Sequence, residues 1–91
     1  MPDYSLRVSP AAARALTRIP EFAAAAVIEF MTSALIENPQ RVGKALGLEL
    51  AGFHVARRGA YRIVYWFGEI DGALVVIVER IDHRADVYRP R

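Results

Sequence analysis

Ninety-one residues carry twelve Lys/Arg against ten Asp/Glu and no cysteine. That length predicts one domain over residues 1–91, and the missing cysteines exclude disulfide staples and cysteine-based zinc motifs. The start of the chain has no basic, apolar leader. Its apolar runs, such as 23–28 and 73–78, fall far short of the roughly 20 residues that span a bilayer, so a cytoplasmic protein without membrane contact is expected.

Tyr4, Leu6 and Val8 alternate with Ser5, Arg7 and Ser9, the period-two pattern of a half-buried strand. Ser9-Pro10 then reads as a helix N-cap followed by proline at the first helical position. Ala12, Leu16 and Ile19 form a short apolar stripe that Pro20 stops. From Glu21 a longer helix places Ala23, Val27, Phe30, Met31, Ala34 and Leu35 on one face and ends at Asn38-Pro39. Gly43-Lys44-Ala45-Leu46-Gly47 reads as a glycine-bounded loop without Walker spacing.

Residues 53–57 and 60–67 then read as two strands meeting at Arg58-Gly59. Asp71-Gly72 is a hairpin signal leading into a strand over 74–78. Alternation blurs at Glu79-Arg80-Ile81, which suggests a bulge. The predicted order is β-α-α-β-β-β, an α+β fold with a small antiparallel sheet and two N-terminal helices packed on one face.

Charge is unevenly placed along this order. Residues 1–40 hold three arginines and four acids, whereas residues 41–91 hold nine Lys/Arg and six acids. No acid lies between Glu49 and Glu69, the interval that contains Arg57, Arg58 and Arg62. In the strand over 60–67, Tyr61, Ile63, Tyr65 and Phe67 point one way, and Arg62, Val64 and Trp66 the other. The first set suits the helices, so Arg62 should project from the open face, with Arg57 beside it through the glycine turn. Eleven of the twelve cations are arginines, whose planar forks suit phosphate or carboxylate. A structural ion pair with Glu79, Asp82 or Asp86 is the alternative use of Arg62.

The ordered set Gly43-Lys44-Ala45-Leu46, Leu50-Ala51-Gly52, Arg57-Arg58-Gly59-x-Tyr61-Arg62-x-Val64-Tyr65 and Asp82-His83-Arg84-Ala85-Asp86-Val87-Tyr88 resembles the RelE/ParE toxin superfamily. It is most similar to the RelE-type toxins of actinobacteria. The resemblance implies a type II toxin whose RelE branch cuts mRNA in the ribosomal A site without metal or cofactor. It also implies neutralisation by a RelB-like antitoxin and, through that complex, contact with operator DNA. The ParE branch instead inhibits DNA gyrase, and a non-toxic antitoxin-binding module is a third reading.

By the same resemblance Arg62 contacts the scissile phosphate and Arg84 matches the basic residue after the last long strand. Tyr88 matches the C-terminal aromatic that orients or stacks on RNA, and Arg57 a cation on the neighbouring strand. Arg58 and Trp66 join the expected substrate surface. Trp66 with Val64 is also expected to offer apolar contact to an antitoxin. Where studied members place lysines before the glycine turn, this chain has Phe53 and Val55. Arginines stabilise phosphoryl charge but do not shuttle protons, so Lys44 and His83 are the preferred candidates for proton transfer, with Tyr88 as an alternative donor and Glu49 as a further candidate. His54, on the other side of its strand from Arg57, reads as structural.

Overall fold

The computed structural model describes residues 4–83. It contains β1 (Ser5–Val8), α1 (Pro10–Arg18), α2 (Glu21–Phe30), β2 (Lys44–Ala45), β3 (His54–Arg58), β4 (Tyr61–Ile70) and β5 (Ala73–His83). A π-helical turn, Met31–Leu35, extends α2, and a 3₁₀ turn, Leu48–Leu50, precedes β3. Among the described residues no helix is long and apolar enough to cross a membrane.

The predicted helices and the three long strands are all present, and the sheet has the order β1-β5-β4-β3-β2. Two features add to the expected architecture. β1 lies parallel to β5, with Ser5 opposite Val75 and Val8 opposite Val78, because the helical pair carries the chain across one face before it returns. The sheet is therefore mixed. The expected loop at Lys44 also contributes an edge strand, in which Lys44 faces Val55 and Ala45 faces His54.

Local chemistry explains the element ends. The Ser9 hydroxyl accepts from the Ala12 N–H at 3.0 Å, capping α1 beside Pro10. Ile19 is extended (φ −91°, ψ 160°), as a residue before proline prefers. The β3–β4 hairpin turns through Gly59 and Ala60. Gly59 has φ +60°, the conformation a type II′ turn requires at its first central position.

The helices bury Ala12, Val27, Phe30, Met31 and Leu35 against Ala56, Ile63, Tyr65, Val76, Val78 and Ile81 of the sheet. Val78 and Ile81 share this core although two residues separate them. The reason is a bulge: Val64 pairs with Arg80 and Tyr65 with Val78, leaving Glu79 as the extra residue. The suspected irregularity thus resets the alternation of β5. Beyond it, Arg80 and Asp82 face away from the helices.

At the core's centre, fully buried Tyr65 donates its hydroxyl to the Pro39 carbonyl. Burial pushes its pKa up from 10.0 to about 12. A folded pKa above the unfolded one means this contribution is complete below about pH 10 and is lost as pH rises toward 12. Tyr65→Phe should therefore melt lower at neutral pH, by about 1–3 kcal/mol for the orphaned carbonyl. It should also lose less stability than the parent chain between about pH 10 and 12. Thermal melts by circular dichroism across that range check both expectations, and parallel curves for the two proteins would contradict the second.

Candidate active site

The face away from the helices collects cations from four strands and a loop. Arg57 of β3 stands directly opposite Arg62 of β4, and Arg62 stands opposite Asp82 of β5. Directly opposed residues place their Cβ atoms about 4.5–5.5 Å apart, so Arg57, Arg62 and Asp82 form one row across the sheet. The next row is Val55, Val64 and Arg80, with Lys44 of β2 outside Val55. Arg41, Lys44, Arg57 and Arg62 border a shallow depression of about 690 Å³.

Two guanidinium groups on directly opposed positions repel each other, so this pairing favours an anion on the face. Arg62 is only 8 % exposed. A guanidinium held on the central strand of the sheet and shielded from water is better fixed, and its field less screened, than one at a loop tip. Asp82 supplies a carboxylate to the row and pairs with Arg80, Nη2 to Oδ2, at 2.8 Å.

The predicted residues separate clearly in space. Lys44 shares the open face with Arg57 and Arg62, and its Cα is roughly 12 Å from that of Arg62, from strand spacing and rise. An extended lysine covers much of that gap. His83 does not share the face: it pairs with Tyr61 and meets that ring edge-on at 5.5 Å, on the helix side. Arg58 also departs from the expected surface. It alternates to the helix side of β3, where its guanidinium lies 5.5 Å from the Phe30 ring centroid.

Trp66 stays on the open face, but it is half-buried and folds over Gly68, within 2.7 Å of where a Cβ would sit. Its Cα is roughly 13 Å along β4 from that of Arg62, so the two side chains cannot meet the same small group. Val64 is buried and does not provide the expected exposed apolar contact. His54 packs against Tyr65 and Phe67 at 5.8 and 4.8 Å, the structural place expected for it. Arg84 and Tyr88 lie outside the described residues.

Reasoning from sequence overlooked Arg80 and Arg41 as part of this face and named Asp82 only as an ion-pair partner for Arg62, the residue that it stands opposite. For Arg80 and Asp82 the signal was the blurred alternation at Glu79-Arg80-Ile81, whose consequence is that both point outward.

The placement of the two adjacent arginines gives a direct test. Arg58→Ala should leave anion binding by the open face intact and reduce stability by about 0.5–1 kcal/mol, the worth of an exposed cation–π contact. Arg57→Ala should weaken anion binding by that face, because it removes one of the cations there. Parallel anion-binding and melting assays check the pair, and equal binding losses would contradict the assignment by face.

A family model described as the ParE toxin of type II toxin–antitoxin systems, parDE, matches residues 6–88. The chain belongs to this ParE toxin family. It is 45 % identical over 86 residues to Toxin RelG of Mycobacterium tuberculosis, covering 94 % of this chain and 97 % of that protein. Toxin RelE of the same organism is 44 % identical over 86 residues, covering 94 % and 87 %. The fold is similar to a chain in the crystal structure of the toxin–antitoxin complex RelBE2 from M. tuberculosis. The TM-score is 0.84 at 44 % identity, and 94 % of this chain and 97 % of that chain are covered. Within this ParE-family fold, the arginine row occupies the sheet face opposite the two helices.

Proposed function

We propose that this ParE-family chain is an endoribonuclease toxin that cleaves mRNA on the ribosome and is held inactive by a RelB-like antitoxin. The observation that carries the reading is the direct opposition of Arg57 and Arg62 on the open face, with Lys44 bordering the same depression. Such a cluster fits the phosphodiester of a single strand. The relatives' names, RelG and RelE, support the RelE branch of the chemistry.

Cleavage without a metal proceeds by in-line attack of a ribose 2′-oxygen on the adjacent phosphorus. A 2′,3′-cyclic phosphate forms, and the 5′-oxygen leaves with a proton. Arg62 and Arg57 donate to the non-bridging oxygens as negative charge grows on them, the role in which prepositioned donors contribute most. The Lys44 ammonium is on the correct face to protonate the leaving 5′-oxygen. His83 is on the wrong face for that task, so the 2′-hydroxyl proton passes to solvent or to a ribosomal group. The resemblance assigns Arg84 a further phosphate contact and Tyr88 a stacking role on the nucleotide.

The family description supports a second reading, inhibition of DNA gyrase. Inducing the chain without its antitoxin separates the two. Mapping of mRNA 5′ ends should reveal new cuts within translated codons, while plasmid supercoiling remains normal. Intact transcripts with lost supercoiling would establish the gyrase reading. Harmless induction would establish a non-toxic, antitoxin-binding module.

A further inference from the structure

The Glu79 bulge is a built feature. Without the extra residue, strict alternation from Val76 and Val78 would turn Arg80 and Asp82 into the core and Ile81 out to the open face. The bulge is also anchored: the Ser9 hydroxyl donates to the Glu79 carbonyl at 2.7 Å, and the Ser9 N–H donates to the Val78 carbonyl at 2.9 Å. One serine thus caps α1 and fixes the irregularity. Bulges commonly sit beside active sites, where they re-aim side chains.

The re-aimed side chains arrive at the arginine row. Arg80 lies opposite Val64, a diagonal neighbour of Arg62 at roughly 7–8 Å between Cα atoms. The Arg80 side chain is 47 % exposed and that of Asp82 20 %. The buried Asp82 Oδ2 has no aligned hydrogen bond and meets the more exposed Arg80 guanidinium at 2.8 Å as an ion pair, so it holds that group by charge. We propose that Arg80 is a further phosphate ligand of the Arg57–Arg62 face and that Asp82 is its positioning residue. The proposal rests on the ribonuclease reading for the identity of the anion, a phosphate of single-stranded RNA.

A plain surface ion pair and a positioning pair predict opposite signs. Judged by charge alone, Asp82→Asn removes a negative charge beside a polyanion and should tighten binding. If Asp82 positions Arg80, the same substitution weakens binding although net positive charge rises. The test uses the purified full-length chain and a short 2′-O-methyl RNA oligonucleotide that cannot be cleaved, followed by fluorescence anisotropy over a salt series.

Arg80→Ala should weaken binding and lower the salt slope by about 0.7, one phosphate contact on a single strand. Asp82→Asn should weaken binding several-fold, roughly 3–10-fold by the scale of measured coupling energies. The double variant should bind no more weakly than Arg80→Ala. Binding by Asp82→Asn as tight as the parent chain's, an unchanged slope for Arg80→Ala, or no binding by the parent chain would each overturn the proposal. Should Asp82→Asn fail to fold, the slope measured for the exposed Arg80→Ala still decides it. A parent chain that shows this binding pattern but leaves ribosomal mRNA intact would refute the ribonuclease reading while the phosphate site stands.

Discussion

Arg62→Ala should lower single-turnover mRNA cleavage by about 10²–10³-fold, the usual effect of deleting one prepositioned donor to a developing oxyanion. The side chain is shielded, lies on the central strand and stands between Arg57 and Asp82, so its deletion removes the best-shielded donor of the row. Arg62→Lys should recover little, because an ammonium lacks the planar fork that addresses two phosphoryl oxygens at once. The loss should appear in the chemical step more than in ribosome binding, since charge stabilisation matters most when charge develops. Removing Arg62 also relieves its repulsion with Arg57, which offsets part of the lost packing. Melting should therefore shift by only a few degrees, which separates lost chemistry from lost fold. Full cleavage by Arg62→Ala, alone and combined with Arg84→Ala, would remove Arg62 from the site.

This result depends on a feature that was legible in the sequence. Alternation over 60–67 divides Tyr61, Ile63, Tyr65 and Phe67 from Arg62, Val64 and Trp66, and the helices pack on the first set, although Arg62 and Val64 are buried on the other face as well. Arg57 was legible too, through the turn at Gly59 that sets it opposite Arg62. Arg58 was misplaced in the sequence reading for the same geometric reason. Adjacent residues on a strand point to opposite faces, so two neighbouring arginines cannot both serve one site.

The remaining differences are non-local. Lys44 belongs to a strand of two residues, too short for a periodic pattern, and its edge pairing exists only because β3 is there to accept it. The parallel placement of β1 depends on the path of the helices, which local propensity does not specify. His83 lies after the bulge, where one extra residue reverses every face assignment. The same reversal brought Arg80 and Asp82 to the arginine row and moved His83 to Tyr61. A blur in alternation near a charged cluster is therefore a prediction about site composition as well as strand geometry.

The largest effect on stability should come from Gly43→Ala. Gly43 is not among the described residues with positive φ, so the position demands space rather than an unusual backbone conformation. A Cβ there would fall on the Tyr65 hydroxyl and 2.7 Å from the Val55 carbonyl oxygen. Neither can retreat easily. Tyr65 is fully buried and bonded to Pro39, and the Val55 oxygen belongs to the strand that Lys44 pairs with. Overpacking costs about 1–3 kcal/mol, and loss of the Tyr65–Pro39 hydrogen bond adds about 1–3 kcal/mol. The sum is a large fraction of the roughly 5–15 kcal/mol that holds a typical domain together. Melting should fall by at least about 10 °C, at roughly 4–8 °C per kcal/mol for a chain of this size. Because the least costly relief is for β2 to peel away from β3, Lys44 should leave the open face, and cleavage per folded molecule should fall as well. The double variant Gly43→Ala/Tyr65→Phe tests the cause. Removing the hydroxyl removes one of the two clashes, so the combined loss should be smaller than the sum of the single losses. Strict additivity, or a Gly43→Ala chain that melts with the parent, would show that β2 is not packed on Tyr65 in the way that places Lys44 beside the arginines.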